Sequence, residues 1–317
     1  MNPTPPVPAP SPASRRPGRA LAACLLLCAG VSASAQTIDD AVMMPARSLC
    51  TGVLFGHDSW DEYWEGTLKR DNENIGRLST RSVTWVGNYG LTERLNVIAM
   101  LPYVWTRASQ GTMAGMSGVQ DLTLAAKYKL LETPLTSAGT LRAFAVASTG
   151  QPLSDYQPDF LPLSIGSHSR RYAGRLTLNF QTRSGFFVGA TGAYTWRDKV
   201  TLDRAAYFTD GRLYMSNEVA LPDVFDYTVS AGWSKGGWHL PVSFTQQSTL
   251  GGGDIRRQNM PFVADRMNFS KVEALAMVTL PRTRNLSFKL AGTYTVDGRN
   301  VGQSAAVTTG LLYTFSF

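Results

Sequence analysis

Side chains alternate between two faces along a strand, so a nucleophile and its base on one strand must stand two residues apart. The three histidines of this 317-residue chain are His57, His168 and His239. His168 is followed directly by Ser169, which points to the opposite face of a strand, and His239 meets Ser243 four residues along. Neither pair has the spacing of a nucleophile activated on a strand, and no hydrolase is expected. Three scattered histidines with the cysteine Cys50 form no metal-ligand cluster. Gly251, Gly252 and Gly253 precede no helical pattern and read as a loop rather than a phosphate cradle. The expectation is a protein that is not an enzyme and holds no metal or cofactor.

What period two does gather is charge. Asp121, Lys127 and Lys129 lie on one segment, Arg171 and Arg175 on another, Lys271 and Glu273 on a third and Lys289 on a fourth. Each has apolar neighbours at odd spacing, so if the apolar face meets lipid these residues line a lumen. Basic groups outnumber acidic ones there, which gives a mild anion preference to a water-filled pore. The same charges also suit pairing with one another to hold a barrel wall, and both readings stay open. Acidic and aromatic residues mix in Asp58 to Glu65 and Asp155 to Phe160. Such loops suit a ligand-gathering mouth, an inward-folded plug, or simply a surface loop with packed aromatics.

The elements that carry these residues are strands. In the last fifteen residues, Phe317, Phe315, Tyr313, Leu311, Thr309 and Val307 alternate with a small, mostly polar set. Similar segments of about ten residues recur: Ser48 to Gly56, Val83 to Tyr89, Leu95 to Trp105, Leu122 to Leu130, Thr140 to Gly150, Tyr172 to Phe180, Phe186 to Trp196, Phe225 to Trp233, Trp238 to Phe244, Val272 to Leu280 and Leu286 to Val296. With the last strand that makes twelve. Short links (Gly90 to Glu93, Glu132 to Gly139, Arg183-Ser184, Gly236-Gly237, Pro281 to Asn285) interleave with long ones such as His57 to Arg77, Gln151 to Ser169 and Asp198 to Pro222. Outer-membrane barrels have this sorting and an even strand number, whereas a sandwich has no reason for it. Lipid offers no hydrogen bonds, so the edges must close on themselves. The fold expected is all-β, a transmembrane up-and-down antiparallel barrel of about twelve strands. Aromatics at strand ends, among them Trp105, Trp196, Trp233 and Trp238, read as interfacial girdles.

The amino-terminal residues agree. Arg15, Arg16 and Arg19 precede an apolar run from Ala20 to about Val31, and Ala33-Ser34-Ala35 follows as a small-x-small cleavage site. The expected organisation is a signal peptide over residues 1–35, a short periplasmic segment over 36–47 and the barrel over 48–317. Leu21 to Cys24 imitates a lipoprotein box, but almost no hydrophobic region precedes it. The proline-rich stretch Pro3 to Pro12 reads as an extended start rather than a domain. Removal of residues 1–35 leaves 282 residues with 27 basic and 23 acidic groups, a net of +4. The basic balance therefore owes much to the signal, and nucleic acid is not an expected partner. Cys50 remains as a single thiol, so no disulfide framework is expected.

Two stretches carry a family likeness. Tyr89 to Tyr103 reads YGLTERLNVIAMLPY, and Gly118 to Leu130 reads GVQDLTLAAKYKL. A strand, a Gly-Leu-Thr turn, a strand closing in Leu-Pro-Tyr and then Gly-x-x-Asp-Leu-x-Leu-x-x-Lys-Tyr resemble the outer-membrane barrel family labelled as phenol-degradation (meta-pathway) or transporter proteins. The ending at Tyr313, Phe315 and Phe317 resembles the carboxy-terminal signature of bacterial outer-membrane barrels, which the barrel-assembly machinery reads. The resemblance implies an outer-membrane location, lipid and the assembly machinery as partners, and passage of small, often aromatic, compounds; with the inward basic residues, the expectation is passive uptake of small aromatic or anionic compounds. It assigns no binding residue. The alternative is a closed barrel serving as a structural or surface-interaction module without transport.

Overall fold

The computed structural model describes residues 37–256, 260–281, 283 and 285–317. The signal and its cleavage residues Ala33 and Ala35 lie outside the described residues. Twelve long strands run in chain order: β1 (Ser48–Trp60), β2 (Leu78–Gly90), β3 (Leu95–Ala108), β4 (Asp121–Thr136), β5 (Gly139–Pro152), β6 (Arg171–Thr182), β7 (Phe186–Arg197), β8 (Val224–Lys235), β9 (Trp238–Thr249), β10 (Asn268–Thr279), β11 (Leu286–Arg299) and β12 (Ala305–Ser316). Each pairs antiparallel with its sequence neighbours, and β12 returns to β1 from Ser48↔Ser316 to Ser59↔Ala305, so the ring closes without an edge.

The apolar half of each strand points outward. Leu176 and Leu178 on β6, Val188 on β7, Val242 on β9, and Val307 and Leu311 on β12 are all more than half exposed. In water that would be a defect; on a barrel it is the lipid-facing band. Aromatic pairs stand at the band's two rims: Tyr103–Trp105 and Tyr194–Trp196 at one, Tyr313–Phe315 at the other, each with centroids 4.7 Å apart. The inward half mixes small polar residues, such as the buried Thr177, Thr191, Asn179 and Ser287, with larger apolar ones such as Phe144 and Met277.

The connections sort by length as expected. One end of the barrel has tight turns, such as Gly236-Gly237, whose φ values of 64° and 89° suit glycine. The other carries the long loops. Strand ends differ from the alternation in one instructive place. The turn expected over Glu132 to Gly139 is mostly strand, because β4 runs on to Thr136 with irregularities at Lys129/Leu131 and Pro134/Thr136. A bulge inserts a residue and shifts the alternation, so Leu130 and Leu131 are both exposed. Along the β3–β4 seam, direct pairing ends at Met100↔Thr123, and Tyr103 to Trp105 pairs instead with the short strand Ser117–Val119. Pro102, which has no N–H, lies at this divergence and accepts from Gln120 N at 2.9 Å.

The long loops are folded rather than loose. Val200, Leu202, Val219 and Leu221 from one loop pack with Phe262, Val263 and Ala264 from another. Asp254 accepts two bonds from Arg299 (2.8 and 2.6 Å) and one from Asn300, which hold its carboxyl down at about 2. Burial pushes the nearby Asp265 carboxyl up to about 6, against the backbone bond from Phe262.

Candidate functional site

Residues 36–47 were expected as a short periplasmic segment, and the described part, from Thr37, reaches into the barrel. At the short-turn end Arg47, with φ 57°, turns the chain back, and its N–H donates to Gly90 O at 2.8 Å. A Cβ at Gly90 would lie 2.0 Å from Pro45 O, so the close approach requires glycine. Beyond this turn Met44 packs among Cys50, Met277 and Leu312, and Ile38 against Ile98, Ala125 and Val146. All are inward positions. The physical reason is an unsatisfied lumen: strands supply apolar and charged inward groups that the segment covers and pairs.

Charge decides where it sits. Lys127 on β4 is fully buried; its Nζ lies 2.7 Å from Asp40 Oδ1 and also donates to the carbonyls of Thr37 and Asp40. Arg175 on β6 pairs with Asp39 at 2.7 Å. The other expected lumen residues divide as follows. Asp121 is buried near the long-loop end, between Arg171 (3.1 Å) and the Tyr156 hydroxyl. Lys129 pairs with Glu132 at 2.5 Å, where Arg142 also binds that carboxylate. Lys271 rests over the Phe269 ring at 5.3 Å, and Glu273 accepts from Thr293 at 3.3 Å. Lys289 has no hydrogen-bond or ion-pair partner among the described residues. Four of the expected cations are therefore matched by carboxylates, which removes most of the positive excess that the strand pattern suggested. Lys127 does not meet lumen water while the segment is seated.

Between the segment and the wall of β6 to β11 lies a cavity of about 300 Å³. Ile38, Val42, Met100 and Leu275 give it apolar surface, and Thr177, Thr191, Thr228, Ser230 and Ser243 give it hydroxyls. Phe187 and His239 line it as a parallel pair, centroids 5.4 Å apart and planes 2° apart. They meet diagonally across β8, whose inward residues there are the small Gly232, opposite Phe187, and Ser234, opposite His239. Sequence reasoning weighed His239 only as a base and missed it as a wall residue; its inward phase with Ser243 was the available signal.

At the long-loop end a second segment folds inward. The loop from Leu153 to Arg170 folds into the mouth, burying Tyr156, Leu163 and Ile165 against β3 and its neighbours. The Tyr156 hydroxyl donates to Asp121 Oδ1 at 2.6 Å and accepts from His168 N at 3.0 Å. Burial, then the bond to Asp121, pushes this hydroxyl far above its ordinary value, so it stays a donor at all physiological pH. Tyr156→Phe is expected to leave Asp121 short of a donor and weaken loop docking by about 1–3 kcal/mol. Faster amide exchange over residues 153–170, with the strands unchanged, is the expected measurement.

Comparison with known proteins adds the following. A family model described as "Putative MetA-pathway of phenol degradation" matches residues 76–259. No curated protein matches the chain at a significant level. Among solved structures, the COG4313 outer membrane channel from Pseudomonas putida F1 superposes with a TM-score of 0.70 at 15% identity, covering 88% of this chain and 100% of that one. The toluene transporter TbuX from Ralstonia pickettii matches at 14% identity and TM-score 0.35, over 87% and 90% of the two chains. The first likeness is one of fold.

Proposed function

This chain belongs to the MetA-pathway phenol-degradation family, and from that premise we propose that it is an outer-membrane channel for passive uptake of small aromatic or anionic compounds. The observation that carries the reading is the partly open, partly polar cavity inside a ring whose outer face is apolar and girdled. A barrel that only anchored surface loops would need no such space. The seated amino-terminal segment narrows the path, so the resting conductance is small and the permeants are small.

The seated segment and the infolded loop favour a second reading, a closed barrel whose loops do the work. Planar-bilayer recording separates the two. The channel reading expects current from the intact protein, and larger current once the segment is released. Silence from both forms, where a control porin conducts, defeats it.

Orientation follows from the loop sorting: long loops outside, short turns in the periplasm. Arg212 is exposed in the hairpin that pairs Tyr207–Thr209 with Arg212–Tyr214. Trypsin on intact cells is expected to cut after Arg212 and spare Arg183 in the β6–β7 turn. Protection of Arg212 with cleavage at Arg183 would invert the topology.

A further inference from the structure

Among the cations expected in the lumen, Lys127, Lys129, Arg171 and Arg175 are each paired with a carboxylate. Lys271 and Lys289 have no carboxylate partner among the described residues; Lys271 rests on the Phe269 ring, and Lys289 lines the cavity. A second group is also unsatisfied: His239 is 5% exposed, and its Nδ1 is buried with no hydrogen-bond partner. The two stand in one row of the wall, since His239 pairs with Met277 and Met277 with Lys289. Two strand spacings separate them, roughly 10 Å between Cα atoms.

We propose that this cavity is a binding site for a small flat monocarboxylate, its carboxylate on Lys289 and its apolar body against the Phe187–His239 pair. The inference rests on the channel reading and adds the residues and the ligand's chemistry. One ammonium matches one negative charge. Glu273, Asp39 and Asp40 also line the space and oppose a dianion such as a phosphate monoester. The parallel planes of Phe187 and His239 continue into the apolar side chains of Ile38, Val42, Met100 and Leu275. That surface excludes a highly hydrated small anion such as acetate from any special advantage, whereas a ring gains contact area. The hydroxyls of Ser230 and Ser243, which take part in no hydrogen bond among the described residues, supply the remaining donors.

The test uses the full-length protein in detergent micelles, with benzoate, benzyl alcohol and acetate as probes in isothermal titration against empty micelles. Benzoate is expected to bind more tightly than either benzyl alcohol or acetate. Lys289→Met should weaken benzoate about tenfold, the scale of one charge-assisted hydrogen bond, and leave benzyl alcohol unchanged. Lys289→Arg should restore most of the loss, and Lys271→Met, an equal charge change at the other end of the lumen, should have no effect. Benzoate binding indifferent to Lys289→Met, or weakened equally by Lys271→Met, overturns the site. So does a wild-type protein that does not prefer benzoate, an outcome that needs no variant to fold. Bilayer current tests the channel separately: binding without current removes the transport reading alone, and current with binding blind to Lys289 removes this site alone.

Discussion

A barrel with Asp39→Asn and Asp40→Asn together is expected to conduct severalfold more current than the wild type, with a shift toward anion selectivity. The two carboxylates hold the amino-terminal segment against Lys127 and Arg175. Breaking the buried Lys127–Asp40 pair by removing one partner costs about 3–5 kcal/mol when the other charge stays buried, and the Arg175–Asp39 pair, whose carboxylate is half exposed, adds at most about 1 kcal/mol. Here the stranded charge has an escape. If the segment leaves, water enters the lumen and solvates Lys127 and Arg175, so the penalty is capped at the free energy of docking the segment. The strand ladder is untouched, and the expected result is release rather than unfolding. Release exposes two cations on one side of the lumen, which is where the anion preference read from the strand pattern reappears. Deleting residues 37–43 should act the same way, but the double substitution keeps the length of the segment. Lys127→Asp with Asp40→Lys should reseat the segment and return the current toward the wild-type level. Unchanged conductance in the double variant would show that apolar packing of Met44 and Ile38 holds the segment without the ion pairs.

The strand pattern was legible because lipid imposes one rule on every residue of every strand. Leu286 to Val296 and Leu122 to Leu130 alternate because each outward position must be apolar and each inward one fit a crowded lumen. Closure, strand number and loop sorting follow from the same rule. Pairing inside the lumen obeys no such periodicity. Alternation places Lys127 inward, yet its partner Asp40 lies 87 residues away on a segment with no strand pattern at all. Asp121 likewise takes Tyr156 from a loop that reads as polar surface. The bulge in β4 was hidden for a related reason: Leu130 and Leu131 fit either phase, and only the pairing with β5 shows where the extra residue sits. The wall of the candidate site was thus partly visible as inward residues, while its floor and lid were not.

Replacing Phe317 with Asp is expected to lower the amount of assembled barrel in the outer membrane severalfold while hardly changing the stability of barrel that has formed. Phe317 is 77% exposed and stacks on Phe315 at 6.5 Å, at the lipid-facing end of β12. Its backbone N–H donates to Arg47 O at 2.9 Å, a bond that any residue but proline keeps. The side chain therefore contributes little to the folded wall beyond its place in the girdle. A charged residue costs about 2–4 kcal/mol at the bilayer midplane but only about 0–1 kcal/mol near the interface, and an acid costs less than a base. That is too small to empty the membrane of a closed ring whose last strand pairs along its whole length with β1. A large loss in cells with a small loss in refolding experiments would place the effect before closure, when β12 is still an open strand and its aromatic end is available to the assembly machinery. Equal losses in both would mean that the ring aromatic stabilises the finished barrel, and the carboxy-terminal pattern would then be a girdle feature with no separate role in assembly. Unchanged outer-membrane levels would remove both readings.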